Sequence, residues 1–233
     1  MALAGFLAVG VLALWQIGAF LGRIKTEGGF DWAANNSFAQ VLPAFALSMV
    51  GVGLAAPAAL STVPLTSGIA LVLSTFFLMA AVTIALVAIV LAVHSMSVNG
   101  VAPEAAPTLL IVIPLITVLG ILVMRQNHGL HVHFGAHESA GETLALLTKF
   151  LSVQLLFGLF GLAILRRQGY ARRFLFATEH SVSSYALVCP GVALFVFGMF
   201  FVHVGLLKNG LIAPFSAAHF VALAPLAFVQ ALT

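Results

Sequence analysis

Long uninterrupted apolar runs are the feature of this sequence that most restricts its fold. A helix that crosses the hydrocarbon of a bilayer, about 30 Å thick, needs roughly 20 consecutive apolar residues. The chain supplies such runs repeatedly, and 62% of its residues are hydrophobic whereas 6% are charged. A soluble domain carries charge on about a quarter of its residues. The sequence therefore predicts an all-α membrane protein, because the short alternating segments typical of membrane-barrel strands are absent from it.

Seven membrane crossings are predicted from the apolar runs and the polar segments between them. Spans 1 to 7 have the approximate bounds Leu3–Leu21, Phe38–Leu60, Ile69–Ser95, Thr108–Met124, Leu144–Ile164, Val182–Leu207 and Ile212–Ala231. We assign residues 1–233 to a single transmembrane helical domain, since no soluble domain interrupts them. The chain opens almost directly into an apolar run and stops without a polar tail, so we expect N-terminal helices of a longer protein to be missing.

The basic residues indicate how the chain is oriented. Short cytoplasmic loops carry an excess of Lys and Arg. The segments after spans 1 and 5 are rich in such residues, namely Arg23, Lys25, Arg166, Arg167, Arg172 and Arg173, and the opposite side holds only Arg125 and Lys208. The N-terminus of this chain is therefore predicted outside and the C-terminus in the cytoplasm. The net charge of +3 reflects this orientation, and no nucleic-acid partner is expected.

The only cysteine of the chain, Cys189, stands next to Pro190 in the middle of span 6. A proline removes one backbone donor and pushes on the carbonyl four residues earlier, here that of Ala186. A freed carbonyl in lipid needs a partner or a watery cavity. A bent helix with a polarizable thiol at this depth predicts the wall of a pathway. The alternative is that Cys189 is a small buried hydrophobe, as most free cysteines are.

Prolines divide the spans into two groups. Spans 2, 4, 6 and 7 contain prolines and spans 1, 3 and 5 do not; the positions are Pro43, Pro57, Pro114, Pro190, Pro214 and Pro225. The bent helices are predicted to face an interior path and the smooth ones to face lipid. Ordinary packing is the alternative, because proline and glycine are frequent in membrane helices generally.

The predicted pathway is uncharged and weakly polar. Cys189 and Pro190 would form its narrow point, with Ser48 and Thr117 as polar contacts, and such walls bind a small anion loosely enough to release it. The candidate pore-lining residues are Pro43, Ser48, Pro114, Thr117, Leu187, Cys189, Pro190, Val196 and Phe200. No acidic pair lies within a span, which favours a channel or facilitated carrier over an ion-coupled pump. No enzyme motif is present, so no catalytic residue is predicted.

Histidines support a different hypothesis. Six of them are predicted on the extracytoplasmic side, four in the loop after span 4 and two near spans 6 and 7: His128, His131, His133, His137, His203 and His219. Imidazoles bind zinc or copper, and two on facing helices can ligate haem. The alternative function is therefore a redox or metal-binding or haem-binding subunit of a larger membrane complex, with Cys189 as a redox group. The spacing matches no standard ligand motif, and interfacial polar residues remain the other interpretation.

Three stretches resemble the tellurite-resistance/dicarboxylate transporter family, which includes the bacterial protein TehA, guard-cell slow anion channels and fungal sulfite exporters. They are Ser37 to Ala44, Pro107 to Gly129 and Tyr185 to Gly191. Members of this family have ten helices, arranged as five hairpins around a central pore that the odd-numbered helices line. The resemblance implies that this chain corresponds to the fourth to tenth helices, and that it resides in a bacterial inner membrane.

The segments around Ala106–Thr108 and Ala186–Pro190 are still more similar to the TsoY branch of the family, some of whose members are selenoproteins. In the channels, a phenylalanine of the ninth helix plugs the pore. The nearest positions here are Leu187 and Cys189, and this departure from the family favours redox or soft-ligand chemistry at Cys189 over gating by an aromatic ring.

Together these features predict a transporter or channel for a small anion, for example a sulfur or chalcogen oxyanion such as sulfite. We expect no enzymatic activity and no cofactor on this interpretation. The expected partners are the lipid bilayer and the small anion. The chain is also expected to form a homo-oligomer or to be a subunit of a larger membrane complex.

Overall fold

The protein is predominantly helical in the part of the chain that the computed structural model describes, which is residues 2–28, 31, 36–137, 139–177 and 179–232. These ranges contain no β-strand. The α-helices are α1 (Ala2–Glu27), α2 (Leu42–Leu60), α3 (Pro64–Asn99), α4 (Val112–Phe134), α5 (Ala140–Arg167), α6 (Val188–Phe200) and α7 (Ala217–Leu232). The 3₁₀ segments Phe38–Val41, Pro103–Leu110 and Val182–Leu187 precede α2, α4 and α6, and the π-helical segments Ala171–Leu175 and Phe201–Leu207 follow α5 and α6.

Most of these helices are suited to a bilayer. Among the described residues, six are long and apolar enough to cross it: Leu3–Glu27, Phe38–Leu60, Pro64–Asn99, Pro103–Phe134, Ala140–Arg167 and Val182–Leu207. A further apolar helix, Ala217–Ala231, is shorter. The predicted all-α membrane protein is confirmed at this level, and the seventh crossing stays a prediction. The helices α3 and α4 extend beyond the predicted spans, because polar residues at their ends continue the helix instead of forming loops.

Three prolines of spans 2, 4 and 6 stand in the first turn of an α-helix, whereas Pro57 and Pro225 lie inside α2 and α7. Pro43 is the second residue of α2, and Pro114 and Pro190 are the third residues of α4 and α6. The first four N–H groups of a helix have no acceptor within it, so a proline there costs no hydrogen bond. Each of these spans instead changes from a 3₁₀ segment to an α-helix just before the proline. The expected mid-helix breaks at Pro114 and Pro190 are thus corrected to helix starts.

A hydroxyl residue stands six positions before each of these prolines, at Ser37, Thr108 and Ser184. The Ser37 side chain accepts a hydrogen bond from the backbone N–H of Ala39 (3.3 Å), which caps the first 3₁₀ segment. The Thr108 hydroxyl donates to a carbonyl three residues earlier (2.6 Å), and the Ser184 hydroxyl shares a hydrogen bond with a tyrosine hydroxyl (2.8 Å). The three hydroxyls share this spacing but make different hydrogen bonds, and of the three only Ser37 caps its 3₁₀ segment.

Contacts divide the chain into two compact units. The first unit is Met1–Val101 with Ile121–His137, and the second is Ala102–Gly120 with Glu138–Thr233. The chain passes between them within α4, whose first residues belong to the second unit and whose remainder belongs to the first. The prediction of one transmembrane domain stays a prediction.

Small residues allow the helices of the first unit to approach closely. A Cβ atom added to Gly51 would lie 2.7 Å from Cδ1 of Leu122, and one added to Gly129 would collide with the carbonyl oxygen of Ala58. Membrane helices associate mainly through such close packing, because lipid offers no hydrophobic driving force between them. The contact between α2 and the second half of α4 therefore depends on glycine at position 129.

Replacing Gly129 with alanine is expected to destabilise the protein, because the atom in its way belongs to backbone and cannot rotate aside. Overpacking of this kind costs about 1–3 kcal/mol. The matched control is Gly141→Ala in the first turn of α5, where an added Cβ meets nothing within 4 Å. Thermal unfolding of the purified protein in detergent should show a lower Tm for Gly129→Ala than for the control. Equal melting temperatures would contradict this packing.

Candidate functional site

Cys189 lies on an exposed face of α6. It is the second residue of that helix, and Tyr185, Ala186 and Val192, which the sequence places on the same face, are exposed too. The buried residues of the same helix are Pro190, Gly191, Ala193, Phe197 and Gly198. The thiol is therefore not enclosed among aliphatic side chains, as the alternative interpretation required. It is accessible to whatever lies beside this helix.

Hydrogen bonds join the 3₁₀ segment before α6 to the one before α4. The Ser181 hydroxyl donates to the carbonyl of Glu104 (3.2 Å), and its oxygen also accepts the N–H of Ser183 (3.3 Å). Tyr170 holds Ser184 through the hydroxyl pair described above. Two of the three proline-led helix starts thus lie together within the second unit.

The predicted polar contact Thr117 belongs to a buried network between α4, α5 and α6. Its hydroxyl lies 3.1 Å from the carbonyl oxygens of both Ala193 and Ile113. The amide nitrogen of Gln154 donates to the Thr117 oxygen (2.7 Å) and to the Ile113 carbonyl (3.3 Å). Thr117 is therefore engaged by protein groups in this conformation, and contact with a passing ion would require it to change partners.

Gln154 is a residue that the sequence reasoning missed. Its side chain is 0% exposed, and its Oε1 atom has no partner in the described part of the chain. Span 5 lacks proline and was predicted to face lipid, yet Leu147, Gln154, Gly158 and Gly161 form a buried face. The available signal was a lone amide near the middle of an apolar run, because an unpaired polar side chain is costly in lipid.

The predicted residues of span 2 lie in the first unit. Ser48 is 0% exposed and its hydroxyl donates to the carbonyl of Phe45 (2.7 Å), whereas Pro43 is half-buried. The remaining pore candidates lie in the second unit: Pro114 is buried, and Leu187, Val196 and Phe200 are half-buried. Each candidate is thus placed within its own unit, and their role as a pore lining stays a prediction.

Arg125 is the second residue that the sequence reasoning misplaced. It was assigned to the outside loop, but it lies within α4, half-buried. Its guanidinium donates to the carbonyl of Val52 (2.8 Å). Its neighbour Gln126 donates to the hydroxyls of Ser74 (2.9 Å) and Thr75 (3.0 Å). The first unit therefore contains two separate sets of polar contacts at adjacent positions of α4, one of which involves a positive charge.

The histidines predicted as metal ligands divide between the units. Three of them, His128, His131 and His133, lie on the last turns of α4 instead of in a loop, because the helix continues to Phe134. The His133 Nε2 atom contacts the Ser61 carbonyl (2.7 Å), His131 Nδ1 contacts the Ala136 carbonyl (2.9 Å), and His128 and His137 are exposed. Among the described residues, no three His, Cys, Asp or Glu side chains form a group that could hold a metal ion.

The other two histidines are brought together in the second unit. The ring centroids of His203 and His219 are 5.4 Å apart, with the ring planes at 82°. His203 is exposed on the π-helical segment after α6, and His219 is 6% exposed in the first turn of α7. This is the one pairing among the six predicted ligands for which the described structure records a ring contact.

An open apolar groove lies on the first unit, separate from all of these residues. It is lined by Pro64, Leu65, Gly68, Ile69, Val72, Leu73 and Phe134, with a volume of about 700 Å³. It contains no predicted pore residue. Its aliphatic and aromatic lining suits a lipid chain better than an ion.

Comparison with known proteins adds no relative. No protein-family model matches the chain, and no curated protein or solved structure matches it either. The resemblance to the tellurite-resistance/dicarboxylate transporter family therefore stays a prediction from three short stretches.

The buried network predicts unequal effects for its two side chains. Thr117→Val leaves the amide N–H groups of Gln154 short of an acceptor and should cost about 1–2 kcal/mol. Gln154→Leu removes the unpaired Oε1 atom together with the amide nitrogen that donates to Thr117, so we expect a smaller loss of stability. A double-mutant cycle on Tm should give a coupling energy of about 1 kcal/mol. A coupling energy of zero would mean that the two side chains do not interact.

Proposed function

We propose that this protein is a membrane transporter or channel for a small anion, which moves along a path lined by spans 2, 4 and 6. The observation that carries the proposal is Arg125, a positive charge held inside a membrane-length helix. Charged residues are rare in such helices, and those present usually pair with one another or lie on a substrate path.

The depth of Arg125 supports a role within the membrane. Its acceptor, Val52, lies eight residues before the end of α2 at Leu60, which is about 12 Å along the helix axis. Within the described residues, the recorded ion pair joins Arg173 to Glu179 and none involves Arg125. A backbone carbonyl satisfies one of the five guanidinium donors but does not neutralise its charge. A bound anion would neutralise the positive charge of Arg125.

The three proline-led helix starts add a second electrostatic contribution. On the predicted topology of alternating crossings, spans 2, 4 and 6 would cross the membrane in the same direction and would begin on the same side. A helix N-terminus carries a partial positive charge and favours anions. On the orientation we propose, with the N-terminus outside and the C-terminus inside, that side is the cytoplasm and also bears the arginine-rich segments. Anions would therefore be attracted from the cytoplasm.

Cys189 gives the proposed path a soft, polarizable group. It stands in the first turn of α6 on an exposed face, beside the buried Pro190. Sulfur and chalcogen oxyanions, of which sulfite is an example, are the substrate class that this group and the family resemblance favour. The exposed face also suits contact with a second copy of the chain or another subunit, as proposed for a homo-oligomer or a larger complex.

A metal-binding or haem-binding subunit is the second candidate, and the closeness of His203 and His219 favours it. The Nδ1 atom of His203 donates to the Met199 carbonyl (2.9 Å), which leaves Nε2 free to bind a metal. His219 differs, because its Nδ1 accepts the N–H of Phe215 (3.1 Å) and so directs the ring proton to Nε2. A neutral His219 that binds a metal through Nε2 must carry its proton on Nδ1, so the hydrogen bond from the Phe215 N–H must break. Absorption spectra and metal analysis of the purified protein test this candidate.

The anion proposal predicts that Arg125→Gln slows transport. Glutamine keeps an N–H donor for Val52 but removes the charge. Anion flux into proteoliposomes is expected to fall about tenfold or more, which corresponds to roughly 1.4 kcal/mol of lost stabilisation. The control is Lys149→Gln, a change of equal charge at an exposed position of α5 outside the proposed path, which should alter flux little. Equal flux in both variants, or no flux of any small anion through the unmodified protein, would refute the proposal.

The single thiol allows a second test of the path. A negatively charged methanethiosulfonate reagent should modify Cys189 and block anion flux, and Cys189→Ser should be insensitive to it. As a control, a cysteine is placed in the Cys189→Ser background by Val90→Cys, an exposed position (67%) on α3. Modification there should leave flux unchanged. If the reagent blocks flux through the variant with a cysteine at position 90 but not through the protein with Cys189, the path runs beside α3 and not beside α6.

A further inference from the structure

The turn before α7 fixes the orientation of His219. Ser216 caps the helix: its hydroxyl oxygen accepts the N–H of His219 (3.2 Å) and the hydroxyl donates to the carbonyl of Ala213 (2.7 Å). Phe215 adopts a left-handed backbone conformation (φ 58°), which is uncommon for a residue other than glycine. Its N–H donates to His219 Nδ1. The imidazole thus supports a strained turn through one nitrogen.

The other nitrogen of His219 has no hydrogen-bond partner among the residues that the structure describes. Because Nδ1 accepts a hydrogen bond, the neutral ring carries its proton on Nε2. The side chain is only 6% exposed, and Nε2 has no acceptor among the described residues. Buried donors without acceptors are rare in native proteins, since the lost hydrogen bond to water is not replaced. The Nε2–H group therefore indicates an acceptor that comes from outside the chain.

His203 presents the complementary group beside it. Its Nδ1–H donates to the carbonyl of Met199, so in the neutral ring Nε2 is an acceptor. The residue is exposed on a π-helical segment, a type of helix that is frequent at functional sites. The ring contact with His219 places a donor and an acceptor next to each other, with open access from the side of His203.

We propose that His203 and His219 bind a small monoprotonated oxyanion. An acceptor oxygen of this ligand takes the His219 Nε2–H hydrogen bond, and its hydroxyl donates to His203 Nε2. A halide or a fully deprotonated oxyanion satisfies only His219. A water molecule also has a donor and an acceptor and could fill the same place. The choice of an oxyanion over water rests on the proposed anion function.

The test measures binding directly in the full-length protein in detergent. Hydrogencarbonate is the probe with both groups, and nitrate is the oxyanion without a hydroxyl. In mildly alkaline buffer, hydrogencarbonate is expected to shift the ¹⁵N resonance of His219 Nε2 and to bind more tightly than nitrate. No shift with either anion would indicate a water molecule only and would overturn the proposal.

Asparagine variants separate the ligand site from the internal hydrogen bonds. The amide of His219→Asn can still accept the N–H of Phe215, and that of His203→Asn can still donate to Met199, but each lacks the Nε2 group. The first is expected to weaken binding of both anions at least about tenfold. The second should abolish the preference for hydrogencarbonate over nitrate. His94→Asn, at an exposed position on α3, is the control and should change neither affinity.

These outcomes are distinguishable from those of the transport experiments. Equal weakening of both anions in His203→Asn would overturn the proposed role of the hydroxyl, whether or not His219→Asn folds. Flux that depends on Arg125 without an anion-dependent shift at His219 would overturn this inference and leave the proposed function standing. Binding at the histidines without flux of any anion would support the inference and refute the transport function.

Discussion

The structure depends on the requirement that every backbone polar group in hydrocarbon find a partner inside the protein. Helices meet this requirement along their length, but each helix start leaves N–H groups without acceptors. In spans 2, 4 and 6, a 3₁₀ segment comes before the α-helix, and the backbone N–H groups of Leu42, Ile111 and Val188 bond to carbonyls of that segment. A proline in the first turn removes one further donor. The transition from one helix type to the other thus leaves few N–H groups exposed to lipid.

The same requirement explains which parts of the fold the sequence predicts. Apolar length alone identifies the first six crossings, because the thickness of the hydrocarbon core sets it. Helix ends are harder to locate: beyond the hydrocarbon, a polar residue is tolerated equally in a helix and in a loop. His128, His131 and His133 were assigned to a loop for this reason, although α4 continues through them. The predictions for Pro114 and Pro190 were wrong because a proline in the first turn of a helix and one that breaks a helix cannot be told apart in the sequence.

The candidate site was harder to predict than the helices, because a membrane helix shows no periodic alternation of polar and apolar residues that would mark its buried face. In a soluble helix, the polar face is visible in the sequence, but a membrane helix is apolar on every side. The buried face of α5 that carries Gln154 is therefore not separable from its lipid-facing side by composition. Arg125 was misplaced because it follows the last apolar residue of span 4 and precedes a polar segment. Which polar groups meet, as Thr117 and Gln154 do, depends on packing between distant segments.

Among the incompletely matched polar groups of the described chain, three bear on anion binding: the Arg125 charge, the Gln154 Oε1 atom and the His219 Nε2–H group. They differ in sign. Arg125 and His219 offer positive charge or a hydrogen, and so select an acceptor, whereas Gln154 offers a lone pair and selects a donor such as water. An anion near Gln154 Oε1 would be repelled, which makes the Thr117 network a poorer anion contact than its hydroxyl alone suggests. The chemistry of the unmatched atoms thus moves the expected anion contacts away from Thr117 and toward Arg125 and the histidine pair.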